Sequence, residues 1–382
     1  MFFVKALAAP LFAAALVCAQ GIEIKGTVKD ASGAPLAGVS VKLEKTGYTA
    51  LTGSDGSFTL NSTASVITLL AAPAAGSARV ALSRGKVLRA GEGDVWTTYG
   101  IDGKSLPIWD KLPVIPLGGG ALPAAAKAAA SAGFKDILFA GKAGYLPYRL
   151  AITSPSASGL ELKLLASAGI IKDGDGNEYQ TVKIGNQTWM AEHMRATKYI
   201  DGSAIPRIQD KAGWANRATP AMCSYNGMAD PDSLKRFGML YNWHTINTKK
   251  LNIEGWHIPS GAEWMALQNH LIANGGNFDG STSGNKVGKA MAGMTDWATA
   301  TKAGAVGNDQ AKNNKSGFGA APTGFRDQGG NFTSMGSRCI MHATDTKENT
   351  FGYFADIDAA SETLRYSDDW MSMGFLVRLV KN

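Results

Sequence analysis

Short apolar runs between turn residues dominate the chain, and one segment carries a clear helical repeat. Trp264, Leu267 and Leu271 recur at spacings of three and four residues, which places them on one face of a helix. Ser260 stands three residues ahead of Glu263, the spacing of a capping box at a helix start. The pattern predicts a short helix that begins after Ser260 and buries one face.

The first part of the chain shows the two-residue alternation of half-buried strands. Val39, Val41 and Leu43 alternate with polar residues, and Phe58-Thr59-Leu60 resumes the pattern after an Asp-Gly turn. A count of 46 glycines favours loop-rich β structure. We therefore predict a mainly β, α+β protein that begins with a small β-sandwich.

Length and the N-terminal pattern suggest an exported protein of several domains. A chain of 382 residues exceeds one typical core. Lys5 and the apolar residues 6–17 precede Val17-Cys18-Ala19, which has the form of a signal-peptide cleavage site. We expect removal of residues 1–19 and an extracellular or cell-surface location, with lipidation of Cys18 as the alternative. No later run approaches the roughly 18 apolar residues that span a bilayer, so no transmembrane segment is predicted.

Charge argues against one class of partner. The formal net charge is +7, but the basic residues are scattered along the chain. The densest pairs, such as Lys249-Lys250, are too small for a nucleic-acid footprint. We predict no nucleic-acid partner.

One segment raises the question of a bound metal ion. Asp173, Asp175 and Asn177 alternate as oxygen ligands do in calcium loops, but Ile184 stands where an EF-hand needs a glutamate. A tight Asp-Gly turn joining two strands explains the same residues. The five histidines lack the spacing of a zinc site. We therefore predict no cofactor, and calcium at this turn is the alternative.

Seven tryptophans fall between residues 189 and 370. Exposed indoles are common sugar platforms, whereas buried indoles fill the core of a loop-rich domain. Three stand beside polar residues in loop-like sequence and form, with neighbouring aspartates, the predicted ligand-binding surface: Trp214, Trp297, Trp370, Asp296, Asp368 and Asp369. The other four lie in longer motifs and are predicted to be core residues: Trp189, Trp243, Trp256 and Trp264.

Five strings, in order along residues 171–382, resemble one known family. They are Asp173-Gly174-Asp175-Gly176-Asn177 leading to Ile184-Gly185-Asn186-Gln187-Thr188-Trp189, then Gly238-Met239-Leu240-Tyr241-Asn242-Trp243, Gly255-Trp256-His257-Ile258-Pro259-Ser260, Gly324-Phe325-Arg326, and Gly374-Phe375-Leu376-Val377-Arg378. On these strings the region resembles the Fibrobacter succinogenes major paralogous (FISUMP) domain. The resemblance implies a secreted α+β domain similar to C-type-lectin-like and formylglycine-generating-enzyme folds, with no settled biochemical activity.

The region of residues 20–166 resembles a second family. Gly26-Thr27-Val28, Gly38-Val39 and Ser54-Asp55-Gly56 are similar to strings of the carboxypeptidase regulatory-like domain, a prealbumin-like sandwich without an active site. In that family a Lys-x-Gly-Tyr string soon follows, but here Lys142-Ala143-Gly144-Tyr145 comes much later. The resemblance therefore implies an insertion at about residues 62–135.

The cysteine content allows one disulfide but does not decide whether it forms. Cys223 and Cys339 remain after signal removal, in a compartment that permits disulfides. Members of the FISUMP family usually carry two cysteines where this chain has Asn252 and Leu379, and both are missing together. The sequence does not decide whether Cys223 and Cys339 pair or stay free. Neither lies in a string that resembles the reactive cysteine pair of the formylglycine oxidases.

Together these features favour a secreted or cell-surface binding protein without catalytic residues. The chain lacks a nucleophile elbow, a phosphate loop and an adjacent Cys/His dyad. The predicted partner is a polysaccharide, and the first alternative is a structural or assembly role with another envelope protein. An oxidase of the formylglycine type or a hydrolase is the second alternative.

Overall fold

The computed structural model describes residues 16–20, 22–61, 66–70, 98–99, 105–106 and 134–382. Most of the predicted signal segment 1–19 and of the predicted insertion 62–135 lies outside these residues. The chain divides into two compact units. The first comprises residues 1–29, 33–140 and 151–162, and the second comprises residues 30–32, 141–150 and 163–382. The protein is mainly β.

Twenty-four strands are seen in the described residues. In chain order they are β1 (Leu16–Gln20), β2 (Glu23–Lys29), β3 (Ser40–Leu43), β4 (Thr49–Leu51), β5 (Ser57–Asn61), β6 (Val66–Leu70), β7 (Thr98–Tyr99), β8 (Ser105–Leu106), β9 (Asp136–Gly141), β10 (Tyr148–Ile152), β11 (Ser156–Lys163), β12 (Gly169–Lys172), β13 (Glu178–Ile184), β14 (Gln187–Met190), β15 (Met222–Cys223), β16 (Leu240–Asn242), β17 (Trp256–His257), β18 (Phe325–Arg326), β19 (Phe332–Thr333), β20 (Arg338–Lys347), β21 (Phe351–Asp358), β22 (Leu364–Trp370), β23 (Gly374–Phe375) and β24 (Val380–Lys381).

The described helices are short. The α-helices are α1 (Lys211–Trp214), α2 (Pro231–Phe237), α3 (Trp243–Asn247), α4 (Gly261–Ala273) and α5 (Gly288–Met291), and 3-10 turns occupy Tyr225–Gly227 and Gln310–Lys312. The predicted helix after Ser260 is confirmed as α4, with both bonds of the capping box to Glu263 present. Its predicted inner face is buried.

The two larger sheets of the first unit each have one buried face, and antiparallel pairing joins β3 to β4 and β2 to β5. The strand orders are β10-β9-β3-β4 and β11-β2-β5. Val41 and Leu43 of β3 are buried between more exposed neighbours, and so are Phe58 and Leu60 of β5. The predicted two-residue alternation is therefore confirmed, because each inward side chain removes apolar surface from water.

The second unit is built on three further sheets. Their strand orders are β12-β13-β14-β24-β17, β15-β16-β23-β18-β19 and β20-β21-β22. In the first of these, β24 lies between β14 and β17, and Trp189 pairs with Val380. Segments far apart in sequence are thus neighbours in one sheet.

Tryptophan and phenylalanine rings fill the core of the second unit. The ring centroids of Trp189 and Trp264 are 4.7 Å apart, and Phe318 packs edge-on at 5.8 Å from Trp189. Trp243 and Trp256 are also buried. The prediction that these four indoles are core residues is confirmed, since a domain with short elements needs large apolar side chains to fill its interior.

Candidate functional site

Trp370 is the member of the predicted indole trio that the structure leaves exposed. It ends β22, and 44% of its surface is accessible. Because successive side chains of a strand point to opposite faces, Trp370 shares a face with Asp368, whereas Asp369 points to the other. The Asp369 carboxylate accepts a hydrogen bond from the Trp370 backbone N–H at 2.8 Å. The structure therefore brings Trp370 and Asp368 together and directs Asp369 away from them.

Three further aromatic rings lie on the same face as Trp370. The strand register places Phe351 of β21 opposite Trp370, and their ring centroids are 4.8 Å apart. Tyr353 and Tyr366 lie next along this face, stacked at 5.1 Å with ring planes 8° apart. We call these four half-buried or exposed rings the aromatic platform: Phe351, Tyr353, Tyr366 and Trp370.

Phe351, Tyr353 and Tyr366 are absent from the site predicted from the sequence. Each sits in a strand-like run and looks like an ordinary half-buried residue. The signal that could have found them is the two-residue spacing of aromatic and acidic residues on both sides of one turn, which puts all of them on one face of a hairpin.

Polar groups border the platform. The Lys347 ammonium lies 3.5 Å from the Asp368 carboxylate. The Asp345 carboxylate accepts hydrogen bonds from the Tyr366 hydroxyl at 3.1 Å and from the backbone N–H of Gly261 at 2.5 Å. Burial, and then the charge of Asp345, raise the pKa of the Tyr366 phenol, so it remains a neutral donor at neutral pH. The site thus combines apolar ring faces with hydrogen-bonding side chains.

The start of α4 adjoins the platform through Gly261. A Cβ atom at this position would lie 2.5 Å from the ring carbon Cζ of Tyr366, so glycine allows the close approach. His257 Nε2 lies 2.7 Å from Glu263 Oε1, while Glu263 Oε2 accepts from the N–H and O–H of Ser260, both at 2.8 Å. These side chains are committed to holding the helix start beside the platform.

The prediction of an exposed indole at Trp214 is wrong. Trp214 is fully buried, and its Nε1–H donates to the carbonyl of Ser372 at 2.9 Å. The guanidinium of Arg326 lies 4.6 Å above the ring, and the Gly374 backbone packs against it. The polar neighbours of Trp214 in sequence indicate exposure, but the short helix α1 directs its indole into the core.

The prediction of an exposed surface at Trp297 and Asp296 is wrong as well. Trp297 is buried, and its backbone N–H and carbonyl bond to the Gln310 side chain at 3.1 Å and 2.7 Å. The Asp296 carboxylate forms an ion pair with Arg236, and its backbone is left-handed with a φ of 76°. The polar neighbours of Trp297 mark a tight turn rather than an exposed loop.

Comparison with known proteins assigns the second unit. The Fibrobacter succinogenes major domain matches residues 182–381, more than half of the chain. The chain belongs to the Fibrobacter succinogenes major domain family. We call residues 182–381 the family domain. A carboxypeptidase regulatory-like domain matches residues 23–90 and brings a prealbumin-like fold to the first unit. No curated protein and no solved structure matches the chain.

Arg378, the arginine of the Val-Arg string, is fully buried in the family domain and bonds to several backbone segments. The Arg378 guanidinium donates to the carbonyls of Met190, Phe318 and Gly319 at 2.7, 2.8 and 3.1 Å. It also lies 4.6 Å from the centre of the Phe318 ring. Burial lowers the pKa of Arg378 to about 10, so the group stays charged at neutral pH. Its role is to join segments that are distant in sequence.

The arginine of the Gly-Phe-Arg string joins a different set of segments. Arg326 donates to the carbonyls of Ile208, Gln209 and Asp210 at 2.6, 2.9 and 2.8 Å. The guanidinium also lies 4.5 Å from the centre of the Phe332 ring. Buried charges are tolerated when every donor is satisfied, and here backbone carbonyls satisfy them. Both arginines of the family strings thus belong to the scaffold.

The disulfide considered for Cys223 and Cys339 is not formed. Both residues are free and buried in the core of the family domain. Burial raises the pKa of the Cys223 thiol to about 11, and it raises that of Cys339 even further. Such thiols behave as small apolar core residues because the reactive thiolate is strongly disfavoured.

The candidate calcium loop is an Asp-Gly turn between β12 and β13. The Asp173 carboxylate accepts from the backbone N–H groups of Asp175 and Asn177, both at 2.9 Å, and from the Tyr179 hydroxyl at 2.5 Å. The Asp175 carboxylate accepts from the backbone and side chain of Thr197. Among the described residues, no group of three or more His, Cys, Asp or Glu side chains is placed to hold a metal ion. Internal donors therefore occupy the oxygens that calcium would need.

Proposed function

We propose that this protein is an exported, non-catalytic binding protein whose family domain holds a polysaccharide against the aromatic platform. The observation that carries the proposal is the row of adjacent, partly exposed rings on one sheet face, led by Trp370. The apolar face of a sugar ring packs well on such rings, and sugar hydroxyls bond to nearby carboxylates and ammonium groups. Asp345, Asp368 and Lys347 supply those groups here.

The proposal of a binding role without catalysis is supported by how the reactive side chains are used. Cys223 and Cys339 are buried with raised thiol pKa values, which disfavours an oxidase that depends on a reactive cysteine pair. The Glu263 carboxylate, at the start of the helix that adjoins the platform, caps α4 and pairs with His257. It is thus occupied by structural contacts instead of being aimed at a ligand.

Location and detailed fold are part of the same proposal. The positive start at Lys5 and the apolar residues 6–17 support export to the cell surface or medium. A C-type-lectin-like architecture for the family domain is supported by its short antiparallel sheets, its single long helix α4 and the pairing of β14 with β24. No described helix combines the length and apolarity needed to cross a bilayer.

The proposal is tested by pull-down of the full chain on insoluble cellulose and xylan, together with a glycan array. We expect retention of the native protein and a loss of affinity of about tenfold or more for Trp370→Ala, since a central aromatic anchor contributes about 2 kcal/mol. The matched control is Met265→Ala, which removes an exposed apolar side chain from α4 outside the platform. It should be retained like the native protein.

Absence of retention on every glycan by folded protein would refute sugar binding. Light scattering distinguishes the remaining role, because concentration-dependent assembly of the same folded sample would point to a structural function with another envelope protein. Equal loss of binding in the Trp370 and Met265 variants would refute the assignment to the platform.

A further inference from the structure

A cavity of about 420 Å³ lies between the glycine-rich loop that follows α4 and the segment around α5 and its neighbouring 3-10 turn. None of its wall residues belongs to the aromatic platform. The residues that give the cavity its chemistry are Lys289, Lys312, Lys315, Asp309, Phe278 and Gly304. We call this cavity the lysine pocket.

The wall of the lysine pocket carries an excess of positive charge. Three ammonium groups face one carboxylate on this wall, and that carboxylate, Asp309, lies 2.8 Å from Lys312. Lys315 donates only to a backbone carbonyl, that of Gly275, at 2.7 Å. The pocket thus retains two positive charges that no acidic group on its wall balances. A concave surface of this kind attracts an anion.

Lys289 is the buried member of the set, with only 7% of its surface exposed. Its ammonium donates to the backbone carbonyls of Ala305, Asn308 and Asp309. These carbonyls satisfy the donors without neutralising the charge, and burial lowers the pKa of Lys289. Asp309, the one acidic group on the wall, favours the charged form of Lys289 but already pairs with Lys312. Burying a charge that is not fully balanced is costly. An anionic ligand in the pocket would offset that cost.

The pocket also presents an aromatic ring to solvent. Phe278 is 40% exposed and packs directly on Gly304, where a Cβ atom would lie 2.5 Å from the ring carbon Cζ. The loop that carries the ring is held by Asn277, whose side-chain amide donates to the carbonyls of Ser281 and Gly284 at 2.9 and 3.1 Å. The ring therefore sits in a fixed position beside the lysines.

We propose that the lysine pocket binds an acidic sugar unit, with its carboxylate directed to the lysines and its ring placed on Phe278. The inference rests on the proposed function in one respect, namely that the ligand is a glycan. Cations alone would accept any oxyanion, but the fixed phenyl ring beside them adds a surface suited to a sugar ring. The lysine pocket then selects acidic polysaccharides, while the aromatic platform binds both acidic and neutral sugar rings.

The test is a calorimetric titration of the full chain with a trimer of galacturonic acid, with inorganic phosphate and with a neutral xylose oligosaccharide of the same length. We expect the uronate trimer to bind with an affinity that falls as salt is added, and more tightly than phosphate or the neutral oligosaccharide. Lys312→Gln and Lys315→Gln should each weaken uronate binding by roughly tenfold, because each removes a charge-assisted hydrogen bond to the carboxylate.

The matched control is Lys235→Gln, which removes an exposed charge from α2, outside the pocket. It should bind the uronate trimer like the native protein. Equal binding of phosphate and the uronate trimer would overturn the assignment to a sugar, and unchanged binding in both pocket variants would overturn the site itself. Retention on neutral cellulose or xylan reports on the platform alone, so the pocket and the proposed function can fail separately.

Discussion

The stability of the family domain should fall steeply as the pH is lowered, and His342 gives the clearest contribution. The imidazole is buried, and its Nε2 lies 2.7 Å from the carbonyl oxygen of Tyr241, to which it donates when neutral. Burial lowers the pKa of His342 from 6.5 to about 4. At pH values between these two pKa values, His342 binds a proton in the unfolded chain but not in the folded chain. The free energy of unfolding therefore decreases as the pH falls.

The magnitude follows from the distance between the two pKa values. A difference of about 2.5 pH units at about 1.4 kcal/mol per unit corresponds to about 3 kcal/mol, lost between pH 6.5 and about 4. Below the lower value both states carry the proton, and this contribution stops changing. Burial also lowers the pKa of His193, which adds a loss of the same sign.

Urea unfolding at a series of pH values measures this dependence, with tryptophan fluorescence as the signal. His342→Gln keeps a side-chain donor but removes the titrating ring, so its stability should fall by about 3 kcal/mol less than that of the native protein across the same window. Met265→Ala, on the exposed surface of α4, offers a control without a titrating group, and it should keep the native pH dependence. Parallel curves for the native protein and His342→Gln would refute the reasoning.

Three further predictions concern packing. Gly261→Ala should destabilise the domain by about 1 to 3 kcal/mol in urea unfolding, because the added Cβ overlaps Tyr366. Gly329→Ala is the control, since the atom nearest to its added Cβ is a side-chain oxygen at 3.4 Å, and its stability should stay within about 0.5 kcal/mol of the native value. Equal losses of stability in the two variants would contradict the overlap. Trp214→Ala should cost about 3 to 5 kcal/mol, and a smaller loss than for Trp370→Ala would contradict its place in the core. Cys339 should react with a thiol reagent only after unfolding, and fast reaction in the native state would contradict its burial.

Features governed by near neighbours could be predicted from the sequence. The helix α4 follows from a cap at Ser260 and a stripe that includes Trp264, both within a few residues of each other. The strand β3 follows from its own alternation. Such patterns report directly on which side of an element meets the core.

The position of each indole could not be predicted in this way. Trp214 and Trp297 have polar neighbours in sequence, yet distant segments cover them in the fold, as the bond from Trp214 to Ser372 illustrates. The aromatic platform depends on the register of β21 and β22, which places Phe351 against Trp370. The lysine pocket depends on bringing the loop of Phe278 beside Lys312. Local composition carries none of these long-range pairings.

The position of β24 has a consequence for biosynthesis. Its pairing of Val380 with Trp189 and with His257 fills the interior of a five-stranded sheet. A ribosome must therefore complete Val380 before this sheet can close, and a nascent family domain stays open until then.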